Sequence, residues 1–168
     1  ELYEKLGTNR ITVRRGWNER RGGSNTNLTL AIAEEMLHSC DAASAISPIS
    51  DRRARVEYLR NNAEIPVIGA LPEYFSVANY SMLYGREFTA QEVYSGDRLA
   101  VLGWETNQNL FGGRDSTGES VKINGKAFTV IGVTDKKGAI PWRNLDLQVV
   151  VPLLTMQRSI DKTDALEQ

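Results

Sequence analysis

Apolar and polar positions alternate most clearly in "SVKINGKAFTVIGV", residues 120–133, where two alternating runs flank Asn124-Gly125. Both turn residues tolerate positive φ, so the pattern predicts a two-residue hairpin with its strands in register. Earlier in the chain, residues 10–14 ("RITVR") alternate and are β-branched, which predicts a strand before the polar loop "GWNERRGGSNTN". Thr29 reads as the N-cap of a helix over "LAIAEEMLHSC", with Leu30, Ala33 and Leu37 near helical spacing and Glu34 and Glu35 on the wet side. "ASAISPIS" reads as a second strand stopped by Pro48, so the first fifty residues are expected to be β–α–β.

Beyond residue 50 the pattern shortens. "RRARVEYLR" and "EIPVIGAL" read as successive strands around a turn at Asn61-Asn62, and "PEYFSV" as a helical turn carrying two aromatics. Thr89 with Glu92 three residues later is the reciprocal capping box of a short helix. "DRLAVLG" predicts a strand, and "WETNQNLFGG" a helix closed by Gly112. After the Asn124-Gly125 hairpin comes a Gly/Pro/Trp loop. "LDLQVVVPL" is then a near-continuous apolar run, as in a strand covered on both faces, and "TMQRSI" begins a last helix. Two pattern regimes predict an α+β fold of two lobes with a boundary near residue 50, and no internal repeat is present.

Composition narrows the function. The 168 residues are 41% hydrophobic, enough for one ordinary core and a small second lobe. A net charge of −1 supplies no global field for nucleic acid. The basic loop cluster Arg14, Arg15, Arg20 and Arg21 reads as a solvated loop beside a membrane or partner rather than a phosphate site. The longest apolar runs, such as "LQVVVPLL", fall short of the roughly 20 residues that cross a bilayer. No secretory leader pattern precedes them. A chain opening on "ELYEKLGTNRITV" without an initiator methionine reads as a segment of a longer protein, so missing spans carry little weight.

The inventory of reactive groups is thin. His38 is the single histidine and is expected to meet terminal carbonyls of its helix, so histidine-based acid–base pairs and multi-histidine metal sites are excluded. Cys40, beside Asp41, has nothing obvious to lower its pKa and reads as a small structural residue. "RRGGSN" and "LFGGRDSTGE" lack the Walker and GxGxxG spacings, and helix ends and turns account for Gly112, Gly113 and Gly118. The adjacent Glu34 and Glu35 diverge around a helix and do not converge on one substrate. Trp17, Trp104 and Trp142 are expected to pack rather than to line a ligand site. The expected catalytic, cofactor-binding and metal-binding sets are therefore empty, and the residues alone stop at an α+β interaction or binding domain.

Six pieces in order resemble the extracytoplasmic domain of MacB/FtsX-type ABC transporter permeases. They are "LGTNRITV", "VIGALPEYFSV", "YGREFTAQEV", "RLAVLGWETNQNLFGG", "STGESVKINGKAFTVIGV" and "VVVPLLTMQR". None is specific alone; the ordered series is. The resemblance implies a β–α–β Porter half at residues 1–50, a β-rich Sabre lobe with short helices at 51–150, and a return towards the Porter lobe at 151–168. Its second β–α–β half is expected beyond "DKTDALEQ". It also implies insertion between the first two transmembrane helices of a permease in the inner membrane, with this domain in the periplasm. The domain itself would be non-catalytic, with ATP hydrolysis in a separate nucleotide-binding domain. Expected partners are that ATPase domain, the parent's transmembrane helices, a second such domain in a homodimer or pseudo-dimer, and a periplasmic adaptor, with no nucleic acid. Coupling of ATP-driven motion to MacB-like export of a drug or peptide is the first reading. Lipoprotein release or a division-associated FtsX-type role is the alternative.

Overall fold

The computed structural model describes residues 47–140 and 143–160, together with Glu35, His38 and Ser39. The expected strand at residues 10–14, the loop after it, the Thr29 cap, Cys40, Trp17 and Trp142 lie outside the described residues. Glu35 is helical and exposed, as expected for the wet side of its helix, and His38 and Ser39 are also helical and exposed.

Most of the expected second strand, "ASAISPIS", also lies outside the described residues. Ser47 and Pro48 are not in a strand, and β1 (Ile49–Tyr58) begins at the residue after Pro48. β2 (Asn61–Ala70) pairs antiparallel with all of β1, and Tyr58 faces Asn61. The turn is therefore Leu59–Arg60, not Asn61-Asn62 as the polar pattern predicted. Asn61 is drawn into the ladder, and its Nδ2 donates to the Leu110 carbonyl at 3.1 Å. The consequence falls on Leu59, which takes φ 52° at the first turn position while 87% exposed.

Next come α1 (Glu73–Val77), which buries Tyr74 and Phe75, and β3 (Met82–Gly85), a short strand that the sequence pattern did not show. α2 (Ala90–Ser95) carries both halves of the expected capping box, Thr89 and Glu92. β4 (Leu99–Leu102) leads through Gly103 into α3 (Trp104–Phe111), which Gly112 closes in the left-handed conformation at φ 67°. β5 (Ser120–Ile123) and β6 (Lys126–Thr134) form the expected hairpin, with Asn124 at φ 47° and Gly125 at φ 77°. The following loop holds a small unpredicted hairpin, β7 (Ala139–Ile140) and β8 (Arg143–Asn144). The final strand is β9 (Val149–Pro152), shorter than its apolar run, and α4 (Leu153–Ser159) follows directly.

Seven strands form one sheet in the order β3-β6-β4-β9-β2-β1-β5, and an additional β5–β6 pairing joins its far side back to β6. With β3 set aside, β6, β4, β9, β2, β1 and β5 thus close into a ring. One edge of β6 is shared: Lys126–Thr129 pair with β5, and Gly132–Thr134 pair with β3. Two parallel pairings, β2–β9 and β4–β6, occur among antiparallel ones.

Strand alternation sorts the core into two clusters. One holds Val56, Ile65, Val67, Leu102, Val121, Ile123, Phe128, Val149 and Val151, plugged by Leu110 and Phe111 of α3 and by Met156 and Ile160 at the α4 end. The intervening residues Ile68, Ala70, Val101 and Val150 face the second cluster, with Tyr74, Phe75, Tyr80, Phe88 and Val93. β2, β4 and β9 are thus apolar on both faces, which is why "QVVVP" reads as a continuous apolar run. Gly69 lets α4 approach, since a Cβ there would lie 2.6 Å from Met156 Sδ.

Candidate functional site

Side-chain chemistry concentrates at two places on the ring. The first is the seam where β1 meets β5, a short closure with two pairs in register, Val56↔Ile123 and Glu57↔Lys122, as few as between β4 and β9. At one end of it, Arg114 Nη2 donates to the Tyr58 hydroxyl at 2.8 Å and Nη1 to Glu119 Oε1 at 3.1 Å. Tyr58 in turn donates to Glu119 Oε2 at 3.2 Å. The guanidinium lies 5.9 Å from the Tyr58 ring centroid and 5.3 Å from that of Phe111, and the two rings are 4.0 Å apart. The Glu119 carboxylate holds the Arg114 pKa above its ordinary value, although the group is open to solvent. At the other end, Arg55 N donates to Asn124 Oδ1 at 3.0 Å, and Asn124 N to the Arg55 carbonyl at 2.9 Å. Arg55 also pairs with Glu57 at 2.5 Å along the strand.

The second place is the start of α3, where the loop before β9 folds over it. Gly103 must be glycine here, since a Cβ would sit 2.2 Å from the Asp146 carbonyl oxygen. That carbonyl accepts from Glu105 N and Thr106 N, satisfying amides that a helix start leaves open. The buried Asp146 carboxylate accepts from Lys137 N at 2.8 Å and Gly138 N at 2.7 Å. Lys137 Nζ reaches the carbonyls of Ala78 and Asn79 and lies 4.5 Å from the Tyr80 ring centroid. Tyr80 donates to the Leu145 carbonyl at 3.1 Å, and burial, then the neighbouring Tyr74, push its pKa up. Every one of these contacts ties the 135–148 loop down.

The structure does not gather the candidates named from the sequence into a site. His38 stands exposed on its helix, and Cys40 lies outside the described residues. Trp104 is half-buried at the start of α3, with Lys136 Nζ 4.5 Å from its ring centroid. Gly112, Gly113 and Gly118 have φ of 67°, 83° and 87°, each in a turn. Among the described residues, no group of three His, Cys, Asp or Glu side chains is placed to hold a metal ion, and no helix is long and apolar enough to cross a membrane. Tyr58, Arg114 and Glu119 were missed by sequence reasoning. They are brought together by the closing of the ring, and no spacing rule connects partners 56 and 61 positions apart.

A family model described as the MacB-like periplasmic core domain matches residues 2–167. The macrolide export ATP-binding/permease protein MacB of Bdellovibrio bacteriovorus is 31% identical over 156 residues, which cover 89% of this chain and 24% of that protein. The protein of the same description from Azoarcus sp. is 33% identical over 153 residues, covering 89% and 23%. The chain thus spans about a quarter of the length of the curated relatives it matches. Among solved structures, the periplasmic region of MacB from Actinobacillus actinomycetemcomitans superposes with a TM-score of 0.72 at 22% identity, covering 96% of this chain and 72% of that one. The extracellular domain of the noncanonic ABC-type transporter YknZ from Gram-positive bacteria gives 0.67 at 20% identity, covering 80% and 67%. At these identities the solved structures speak for the fold alone.

Proposed function

This chain belongs to the MacB-like periplasmic core domain family, and from that premise we propose that it is a non-catalytic module coupling ATP-driven membrane motion to export. It is a periplasmic domain of a MacB-like ABC transporter permease. The family match across nearly the whole chain carries the reading. The ring supports it: strands packed on both faces and plugged by helix ends make a body stiff enough to pass on a displacement.

In this reading the ring is the Sabre lobe. The start of β1 at Ile49 supports a boundary near residue 50. The return towards the Porter lobe is assigned to residues 151–168, and Met156 and Ile160 at its beginning pack into the ring core. Nucleotide hydrolysis belongs to the ATP-binding part that the relatives' names describe. Two such domains face each other outside the membrane, an adaptor docks on them, and a macrolide or similar drug is the substrate class, following the relatives. The catalytic, cofactor and metal sets of this domain are empty.

The test uses the full-length protein in proteoliposomes. Cysteine pairs across the facing periplasmic domains should stop drug transport when oxidised and release it on reduction, with ATP hydrolysis still measurable. Transport at the normal rate through a verified cross-link would make the domain a passive platform. Stimulation of ATP hydrolysis by lipoproteins and not by macrolides would replace export with lipoprotein release.

A further inference from the structure

The register of the thin seam, Val56↔Ile123 and Glu57↔Lys122, puts Arg55 opposite Asn124 as the next rung. Such a pair in an antiparallel ladder exchanges two N–H···O bonds between backbones. Only one is of that kind, from Asn124 N to the Arg55 carbonyl at 2.9 Å. The other, from Arg55 N, ends on the side-chain Oδ1 of Asn124 at 3.0 Å, where the chain has already turned to φ 47°. A side-chain amide thus completes the last rung of a pairing that has two register pairs.

The same amide precedes Gly125, which is exposed and has no atom within 4 Å of where a Cβ would stand. An asparagine before an unhindered glycine is chemically labile. The Gly125 nitrogen loses its proton and attacks Asn124 Cγ; the new C–N bond forms, the Cγ–Nδ2 bond breaks, and ammonia leaves. Water then opens one or the other imide carbonyl to give aspartate or isoaspartate. Water is the only co-reactant. Attack requires the side-chain carbon to swing over the Gly125 nitrogen, and the hydrogen bond from Arg55 N to Oδ1 restrains that rotation.

We propose that Asn124 is a latent modification site, shielded from succinimide formation while β1 is seated on β5 and reactive when that seam parts. Isoaspartate then bars reclosure, because it lengthens the backbone of a two-residue turn and displaces the acceptor that Arg55 uses. The seam can part at its ends, while the buried Val56↔Ile123 pair anchors it in the core. Outside its two register pairs lie the exposed Arg55–Asn124 rung on one side and the solvent-facing Arg114–Glu119–Tyr58 cluster on the other. Local openings of such thin pairings precede global unfolding.

The test incubates the full-length protein beside a synthetic peptide of residues 119–129 in mildly alkaline buffer. Mass spectrometry follows succinimide, aspartate and isoaspartate at position 124. The protein should react at least about tenfold more slowly than the peptide, as a shielded site gated by local opening requires. Tyr58→Phe with Glu119→Gln loosens the seam away from the reacting amide and should speed the reaction several-fold, with amide hydrogen exchange at Arg55 rising in parallel. Exchange in the unaltered protein under mild urea gives the same correlation should that variant not fold. The isoaspartate form should melt below the unmodified protein. Equal rates in protein and peptide, a rate indifferent to seam opening, or an unchanged melting temperature of the isoaspartate form would each overturn the proposal.

Discussion

Leu59 is the residue whose local chemistry fits its place least well. A branched apolar side chain holds φ 52° at the tip of a hairpin and stays 87% exposed. Positive φ costs a non-glycine residue on the order of 1–2 kcal/mol, and glycine gives back part of that gain as unfolded-state entropy. Leu59→Gly should therefore stabilise the domain by about 0.5–1 kcal/mol, read as a rise in the urea midpoint with an unchanged slope. Glu92 is the opposite case. The bidentate Arg86 guanidinium, with the Thr89 amide and hydroxyl, holds its carboxyl at about 2. A folded-state pKa below the unfolded one gives stability that is present above the unfolded value and lost as pH falls through the folded one. Glu92→Gln should thus cost about 1 kcal/mol at neutral pH, after allowance for an exposed Arg86. The difference between the two proteins should shrink below pH ~4.5 and vanish near pH ~2 in acid denaturation curves.

At the scale of elements, close approach decides more than propensity does. Gly103 sits where β4 hands over to α3, and a methyl there would collide with the backbone of Asp146, which cannot move without releasing the helix start it caps. Gly103→Ala should cost about 3 kcal/mol or more, checked by chemical denaturation. Phe128→Ala, which empties the ring interior, should cost about 3–5 kcal/mol. The elements legible in the sequence were those with a local cause: the Asn124-Gly125 turn, the Thr89–Glu92 box, the Gly112 stop and the apolar run of β9. Those that were missed have distant causes. β3 exists because β6 outruns β5 and leaves an edge at Gly132–Thr134 for it to join. The turn at Leu59–Arg60 is displaced from its polar signal because β1 and β2 pair to their ends and Asn61 is held by Leu110. No window of local sequence contains either fact, and the seam cluster of Tyr58, Arg114 and Glu119 was invisible for the same reason.

For the molecule as a whole, the ring predicts an order of opening. Amides of β4, β9 and residues 67–70 of β2, flanked by strands on both sides and buried, should exchange slowest with solvent. Those of β3 and of the β1–β5 seam should exchange first, which residue-resolved hydrogen exchange would read directly. The parallel pairing of β2 with β9 sets Val67 against Val149 and Ala70 against Pro152. A chain passed across a membrane from its N-terminus delivers β2 long before β9. Until then the β1–β2 hairpin has one backbone edge unsatisfied, and Val67 and Ile68 lack their neighbours on that side. Contacts so far apart along the chain close slowly, and exposed strand edges invite pairing with other chains. Secretion, rather than the finished structure, is thus where this domain is most exposed to aggregation. A slowed translocation step just ahead of residue 149 should raise the fraction that needs a periplasmic chaperone.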